Sequence, residues 1–106
     1  MQLKMCNMRV VSHKKLKDFY ETKGREDSRV ALERWYDLVE NAEWKNLLDV
    51  RTDFPSVDYF ENQHYVFNIR SNNYRLVVVI KFTIGYVFIR FAGTHKEYEK
   101  IDSSTK

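Results

Sequence analysis

Residues 65–101, YVFNIRSNNYRLVVVIKFTIGYVFIRFAGTHKEYEKI, decide the fold of this chain. Apolar and polar side chains alternate in three successive segments, which is the pattern of β-strands with one buried face. The turn residues SNN separate the first two segments, and Gly85 lies in or next to the second turn. The residues after Thr94 have helical spacing. This stretch therefore predicts three β-strands followed by a short helix.

The alternation also predicts which side chains face the core. We expect one face to be apolar and to carry Tyr65, Phe67, Ile69, Tyr74, Leu76, Val78, Ile80, Val87, Ile89 and Phe91. We expect the opposite face to carry His64, Asn68, Arg70, Asn73, Arg75, Lys81, Tyr86 and Arg90, interleaved with Val66, Val77, Val79 and Phe88. A face that mixes cations with aromatic and aliphatic groups is typical of RNA-binding sheets. The alternative is a solvent-facing sheet with ordinary surface charges.

Positive charge is concentrated in the same part of the chain. Residues 62–96 contain five Lys or Arg side chains and no Asp or Glu. The 106 residues carry a formal net charge of +3, and residues 61–106 supply it with seven basic and four acidic side chains. Residues 1–60 are neutral, with eleven of each sign. This distribution favours an anionic partner for the sheet, most simply a nucleic-acid backbone.

The N-terminal half predicts two helices that pack on the apolar face. Residues 8–12 indicate a short strand or the start of the domain, and Ser12 is a good N-cap for a helix that Gly24 would stop. Its apolar face would carry Leu16, Phe19 and Tyr20. Asp27 or Ser28 can cap a second helix, whose apolar stripe would carry Ala31, Trp35, Leu38, Val39 and Ala42.

Residues 44–62, which contain the only proline, Pro55, indicate a connection with at most a short extended piece, or a mobile lid. The fold class that follows is α+β, with two N-terminal helices packed on one face of a small antiparallel sheet and a short C-terminal helix. We expect one domain over residues 1–106, with a core at about 8–101 and tails at 1–7 and 102–106.

Composition excludes several classes of protein. With 43% hydrophobic and 31% charged residues, the chain has the composition of an ordinary globular domain. The longest apolar run, residues 76–80, is too short to cross a bilayer. The single cysteine, Cys6, excludes an internal disulfide and fits a reducing compartment, so we expect a cytoplasmic protein with no membrane partner.

Metal or cofactor chemistry has no support in the motifs. His13, His64 and His95 are scattered, and none belongs to a metal-binding pattern. The sequence contains no P-loop, no dinucleotide-binding glycine motif and no nucleophile elbow. We therefore expect neither a metal nor a cofactor.

Phosphodiester cleavage without a metal remains, and its parts are present. Arg75 could clamp a phosphate through its planar guanidinium, and histidine, here His95, is the side chain whose ordinary pKa lies closest to neutrality. Tyr98 would share a helix face with His95 and could transfer a proton or stack on a base. The alternatives are a surface arginine, a histidine in a helix start capped by Thr94, and a packing tyrosine. These patterns support an anion-binding α+β domain without establishing an enzyme.

Two blocks, FNI-x-x-NNYRL and FIRF-x-GTH-x-EY-x-K-I, resemble the HigB family of bacterial type II toxins within the RelE/ParE superfamily. The segments MRVVSHKKLKDFYE and EWKNLLDVRTDFPSVDYF are similar to that family too, so the resemblance covers Met8 to about Ile101. It implies ribosome-dependent, metal-independent endonucleolytic cleavage of mRNA. It also implies restraint by a HigA-type helix-turn-helix antitoxin, with operator DNA contacted only through that antitoxin.

The resemblance assigns residues as well. The superfamily's catalytic arginine matches Arg75, and the basic residue and tyrosine of its C-terminal segment correspond to His95 and Tyr98. RelE itself has lysines on the first strand, where this chain has Val66 and Asn68. Other polar and basic residues would then bind the RNA; our candidates are Asn68, Arg70, Asn73, Lys81, Arg90 and Lys96.

Two alternatives stay open at this stage. One is a non-enzymatic, ParE-like toxin that blocks a protein target, and the other is a catalytically silent member that mainly binds its antitoxin. The GTH-x-EY block disfavours the first, because a pure binding module needs no titratable pair beside a clamp arginine. We also expect apolar side chains on the outer sheet face to form part of an antitoxin contact, namely Val66, Val77, Val79 and Phe88.

Overall fold

The computed structural model describes residues 8–60, 62–70 and 73–104. Its centre is a five-stranded sheet in the order β1-β5-β4-β3-β2. The strands are β1 (Arg9–Val11), β2 (Asp58–Tyr59), β3 (His64–Ile69), β4 (Tyr74–Lys81) and β5 (Tyr86–Thr94). The α-helices of the described residues are α1 (His13–Tyr20), α2 (Arg29–Glu40), α3 (Leu47–Asp53) and α4 (His95–Ser104), and a 3₁₀ turn covers Glu26–Ser28. The α+β class, the three successive strands and the short C-terminal helix are confirmed.

The prediction of a purely antiparallel sheet was wrong. Strands β2 to β5 are antiparallel neighbours, but β1 runs parallel to β5, with Val10 opposite Val87. Hairpin turns fix the direction of β3, β4 and β5, whereas β1 comes from the far end of the sequence and is not constrained by a turn. At this sheet edge, the N–H of Val10 donates to a carboxylate oxygen of Glu40 at 2.8 Å.

The segment interpreted as a connection contains two elements, α3 and β2. Helix α3 is capped by Asn46, whose side chain accepts a hydrogen bond from the backbone N–H of Asp49 at 3.1 Å. Trp44 is buried, and its indole N–H donates to Asp53 at 2.8 Å. With seven residues, α3 spans about two turns, too few for apolar periodicity to reveal it in the sequence.

Helices α1 and α2 pack on one face of the sheet, as expected. The ring of Phe19 contacts Tyr74 edge-on at 5.6 Å, and the ring of Trp35 contacts Phe67 at 5.4 Å between centroids. The other predicted inward residues of β3 and β4 belong to the same core. On the outer side of the helix pair, Glu33 accepts a hydrogen bond from the hydroxyl of Tyr20 at 2.5 Å.

Helix details differ from the sequence pattern at two points. Leu38 is exposed, and Leu32 takes its place in the buried stripe with Trp35 and Val39. The spacing of these three buried residues follows the 3.6-residue helical repeat, and Leu38 lies outside their arc. Helix α1 ends at Tyr20, before the predicted stop at Gly24, which adopts a positive φ of 89° in the turn that follows.

A β-bulge changes the faces of β5. Val77 lies opposite Phe91, but Val78 lies opposite Ile89, so Arg90 is an extra residue without a partner position on β4. An extra residue reverses the alternation beyond it. Phe91 therefore lies on the outer face with Val77, and its predicted inward orientation was wrong. Ala92 instead packs against the core.

The outer face is less open than predicted. Val66 is only 1% exposed, Val79 is also buried, and Val77 and Phe88 are half-buried. Strand alternation predicts the face on which a side chain lies, but not how far neighbouring groups bury it. The proposed antitoxin contact through Val66 and Val79 was therefore wrong, because a partner cannot reach these side chains.

The two ends of the predicted domain lie at or beyond the limits of the described residues. Helix α4 continues to Ser104, beyond the predicted end of the core. The predicted N-terminal tail at 1–7 lies outside the described residues, as do Ser71 and Asn72 of the predicted turn. Within the described part of the chain, no helix has the length and apolar character that crossing a membrane requires.

Gly93 offers a test of the packing at the end of β5. A Cβ built on Gly93 would overlap the ring of Phe91 and lie 2.7 Å from a carboxylate oxygen of Glu97. We expect Gly93→Ala to lower the free energy of unfolding by about 1–3 kcal/mol, measured by urea denaturation. In a Phe91→Ala background the same alanine should cost less. An equal cost in both backgrounds would show that the ring is not the obstacle.

Candidate active site

An open cleft of about 570 Å³ lies where β4 begins and β5 ends. Its lining residues are Asn73, Arg75, Thr94, His95 and Lys96. Strand register places Arg75 between Asn68 on β3 and Gly93 on β5, on the face opposite the core. The cleft therefore combines a strand arginine with the first residues of α4, as the sequence predicted for Arg75 and His95.

Reciprocal hydrogen bonds fix the start of α4 in this cleft. The backbone N–H of Thr94 donates to Glu97 Oε1 at 2.8 Å, and the N–H of Glu97 donates to Thr94 Oγ1 at 3.2 Å. This is a capping box, in which each side chain satisfies the other residue's backbone. The N–H of His95 donates to the backbone oxygen of Asn73 at 3.3 Å. The positive end of the helix dipole is thereby held beside the start of β4.

A second contact holds Glu97 from the helical layer. Arg25, in the turn between α1 and α2, forms an ion pair with Glu97. The guanidinium of Arg25 also lies over the ring of Phe19, at 5.0 Å from its centroid. The hydrogen bond from the Thr94 backbone lowers the pKa of Glu97; burial opposes this, and the charge of Arg25 adds to it. Glu97 is therefore ionised at neutral pH and connects the core to the cleft.

His95 and Lys96 are accessible from solvent. The side chain of His95 is 48% exposed, and its Nε2 lies 2.7 Å from Oε2 of Glu99, one helical turn further on. Exposed pairs at this spacing stabilise a helix only weakly, by about 0.2–0.5 kcal/mol. The contact therefore orients the imidazole without preventing contact with a substrate.

Tyr98 lies beside the cleft, where it contacts Arg75. Its ring centroid lies 6.0 Å from Cζ of Arg75. The ring of Tyr98 also lies beside that of Phe60. The two ring planes are nearly parallel, at 12°, and their centroids are 6.4 Å apart. The structure thus brings all three predicted catalytic residues, Arg75, His95 and Tyr98, to one end of the sheet.

Four of the six predicted RNA-binding residues lie near one end or the other of β4. Asn73 and Lys96 line the Arg75 cleft, and Asn68 lies opposite Arg75 in the strand register. Lys81 lies at the other end of β4, about 20 Å away by strand geometry, and donates to the side chain of Gln63 at 2.6 Å.

Arg70 and Arg90 lie neither at the Arg75 cleft nor at the Lys81 end of β4. Arg70 follows β3 with a positive φ of 54°, and its guanidinium lies 3.7 Å from Asp27. The hydroxyl of Tyr74 donates to the same carboxyl group at 2.5 Å, which raises the pKa of Tyr74. Arg90 occupies the bulge of β5 and is exposed.

Residues 62–96 contain no Asp or Glu, but the fold brings carboxylates from other segments close to their basic side chains. Asp27 approaches Arg70, and Glu97 and Glu99 lie in the first turns of α4. Among the described residues, no three His, Cys, Asp or Glu side chains approach closely enough to hold a metal ion.

Sequence reasoning missed four residues of the site: Arg25, Phe60, Glu97 and Glu99. The T-x-x-E spacing of Thr94 and Glu97 is a readable capping signal, and Glu99 follows His95 at the i, i+4 spacing. Arg25 and Phe60 reach the site by tertiary contacts, for which the local sequence carries no signal.

The depressed pKa of Glu97 predicts a pH-dependent contribution to stability. A carboxyl group whose pKa is lower in the folded state stabilises the fold above its unfolded pKa, which is about 4.3 for glutamate. That contribution is lost as the pH falls through the lower, folded value. We expect Glu97→Gln to cost about 0.3–1 kcal/mol at pH 7, and the difference from wild type to shrink below about pH 4. Urea unfolding across pH measures both values.

Glu99→Gln is the matched control, because Glu99 lies on the same helix without an ion pair to the core. It should leave stability nearly unchanged at every pH. A Glu97→Gln difference that stays constant from pH 7 to pH 3 would contradict this role of the charge.

Comparison with known proteins shows the family of the chain. The sequence pattern of the HigB toxins, described as the RelE-like toxic component of a toxin-antitoxin system, matches residues 28–101. The mRNA interferase toxin HigB of Escherichia coli K12 is 33% identical over 95 residues, which cover 87% of this chain and 88% of that protein. The mRNA interferase HigB of Escherichia coli O6:H1 is 30% identical over 74 residues, covering 68% and 72%. The chain belongs to the HigB family of toxins.

Proposed function

We propose that this chain is the mRNA-cleaving toxin, or mRNA interferase, of a type II toxin-antitoxin system. The observation that carries the proposal is the cleft in which Arg75 lies together with His95, Lys96 and the N-terminus of α4. Arg75, Lys96 and the positive end of the helix dipole converge there on a space that is open to a strand of RNA. The names of the relatives, which are mRNA interferases, support the same activity.

The chemistry that suits this cleft is attack by the ribose 2′-oxygen on the adjacent phosphorus. A proton leaves the 2′-hydroxyl, the bond from phosphorus to the 5′-oxygen breaks, and that oxygen takes up a proton. The products are a 2′,3′-cyclic phosphate and a 5′-hydroxyl end. Arg75 can donate two parallel hydrogen bonds to the phosphorane oxygens as their charge increases. The protein then supplies the positive charge itself, and we propose that no bound metal or cofactor is required.

His95 and Tyr98 are the groups that we propose for the two proton transfers. Glu99 orients the imidazole of His95 through its contact with Nε2. Tyr98 lies close enough to Arg75 to act on the same phosphodiester or to stack on a neighbouring base. Asn68, Asn73 and Lys96 would hold the RNA nearest the cut, with Arg70, Lys81 and Arg90 in peripheral contacts.

The shape of the cleft supports dependence on the ribosome. It is open, so it restrains a flexible RNA strand only weakly, and correct in-line geometry must come from elsewhere. A ribosome that presents mRNA in a fixed conformation would provide that orientation. We further propose cytoplasmic action, and neutralisation by a HigA-type helix-turn-helix antitoxin that alone contacts operator DNA.

The first test removes the guanidinium of Arg75 by substitution. Wild type and Arg75→Ala are induced separately in a bacterium without the antitoxin, and 5′ ends of a translated mRNA are mapped. Because removal of a charge-stabilising donor costs about 10²–10³ in rate, new ends should appear with wild type and be lost with Arg75→Ala. Lys81→Ala, at the far end of the same strand, should retain most of the activity. Growth arrest without new ends would indicate a protein target instead.

The second test addresses proton transfer. We expect His95→Gln to lower the cleavage rate by about 10²–10⁴, and Glu99→Gln to lower it by less, since Glu99 only orients the imidazole. Rates are measured on a reporter mRNA in a purified translation system. The downstream fragments should carry 5′-hydroxyl ends. Fragments with 5′-phosphate ends would contradict attack by the 2′-oxygen.

A further inference from the structure

Phe60 and Tyr98 form an aromatic pair beside Arg75. Phe60 follows β2 directly, and its backbone N–H donates to the oxygen of His64 at 2.7 Å. Because Asp58 lies opposite Val66 and Tyr59 lies opposite Tyr65, the alternation returns Phe60 to the outer face. There its ring lies nearly parallel to that of Tyr98. Tyr98 in turn contacts the guanidinium of Arg75.

Phe60 is an aromatic side chain that is partly exposed to solvent. Its side chain is 38% exposed. In the described part of the chain, the large hydrophobic side chains that are exposed at other sites, apart from neighbouring Tyr59, are aliphatic. Tyr59 and Phe60 are neighbours in the chain, and Phe60 connects through Tyr98 to the cation Arg75. A contiguous exposed apolar surface, unlike a single exposed residue, is a candidate ligand contact.

A ligand for this place needs a flat apolar surface joined to an anionic group. Single-stranded RNA has both, since each base carries a π-face and each linkage carries a charge. We propose that Phe60, with Tyr98, forms a stacking platform for a nucleobase of the RNA whose phosphate binds Arg75. This inference rests on the proposed function and adds a substrate-binding residue that the sequence patterns do not identify.

The competing explanation is that Phe60 only covers the sheet near Val66. The two explanations require different chemical properties of the side chain at position 60. Covering needs apolar volume, which leucine and tryptophan both supply. Stacking needs a flat aromatic face, which tryptophan supplies and leucine does not.

The experiment compares Phe60→Leu, Phe60→Trp and wild type in a purified translation system with a reporter mRNA. The maximal cleavage rate and the half-saturating protein concentration are measured for each. A lost stacking contact is worth about 1–3 kcal/mol, so Phe60→Leu should raise the half-saturating concentration by roughly 5- to 140-fold. Phe60→Trp should restore it. Ile84→Ala, a 60% exposed residue in the turn between β4 and β5, is the control that should change nothing.

Two results would overturn the platform: wild-type concentration dependence in Phe60→Leu, or equal weakening by leucine and tryptophan in folded protein. Thermal unfolding of each variant separates weak binding from misfolding. The proposed function fails separately, if wild type yields no cleavage at any concentration. If wild type cleaves and Arg75→Ala does not, while Phe60→Leu behaves as wild type, only the platform is wrong.

Discussion

The capping interaction between Thr94 and Glu97 is the constraint on which the rest of the site depends. It ends β5 and starts α4 at a fixed point, so the first helical residues lie beside Arg75. Arg25 holds the same carboxylate from the helical layer, which joins the core to the cleft. The hydrogen bond from the His95 N–H to Asn73 adds to this junction and fixes the helix start relative to β4. The site is therefore built by a helix start rather than by a loop.

Strand β4 serves both stability and function through its alternation. Tyr74, Leu76 and Val78 face the core, while Arg75 between them faces the cleft. Because β4 has neighbours on both sides, the backbone of Arg75 is held by two ladders of hydrogen bonds. These ladders fix the point from which the guanidinium extends, which favours preorganised stabilisation of charge.

Sequence periodicity predicted the elements in which apolar and polar residues alternate regularly. It missed the elements that lack such a pattern. The three long strands and the inward faces of β3 and β4 follow from local spacing. The candidates Arg75, His95 and Tyr98 came from their residue types and from the family resemblance, and their catalytic roles stay predictions. The bulge at Arg90, the parallel pairing of β1 and the short helix α3 depend on contacts between distant segments. Asp27 near Arg70, Arg25 at Glu97 and Phe60 on Tyr98 are contacts of the same kind. No local pattern predicts them, because their energy arises only in the folded chain.

We propose that the scissile phosphate binds Arg75 in the cleft at the start of α4. The most direct test is a structure of the protein on a ribosome whose mRNA carries a 2′-O-methyl group at the cut, which blocks attack. We expect a phosphate within hydrogen-bond distance of the Arg75 guanidinium, with His95 beside it. An mRNA bound at the Lys81 end of the sheet, or a phosphate beyond the reach of Arg75, would contradict it.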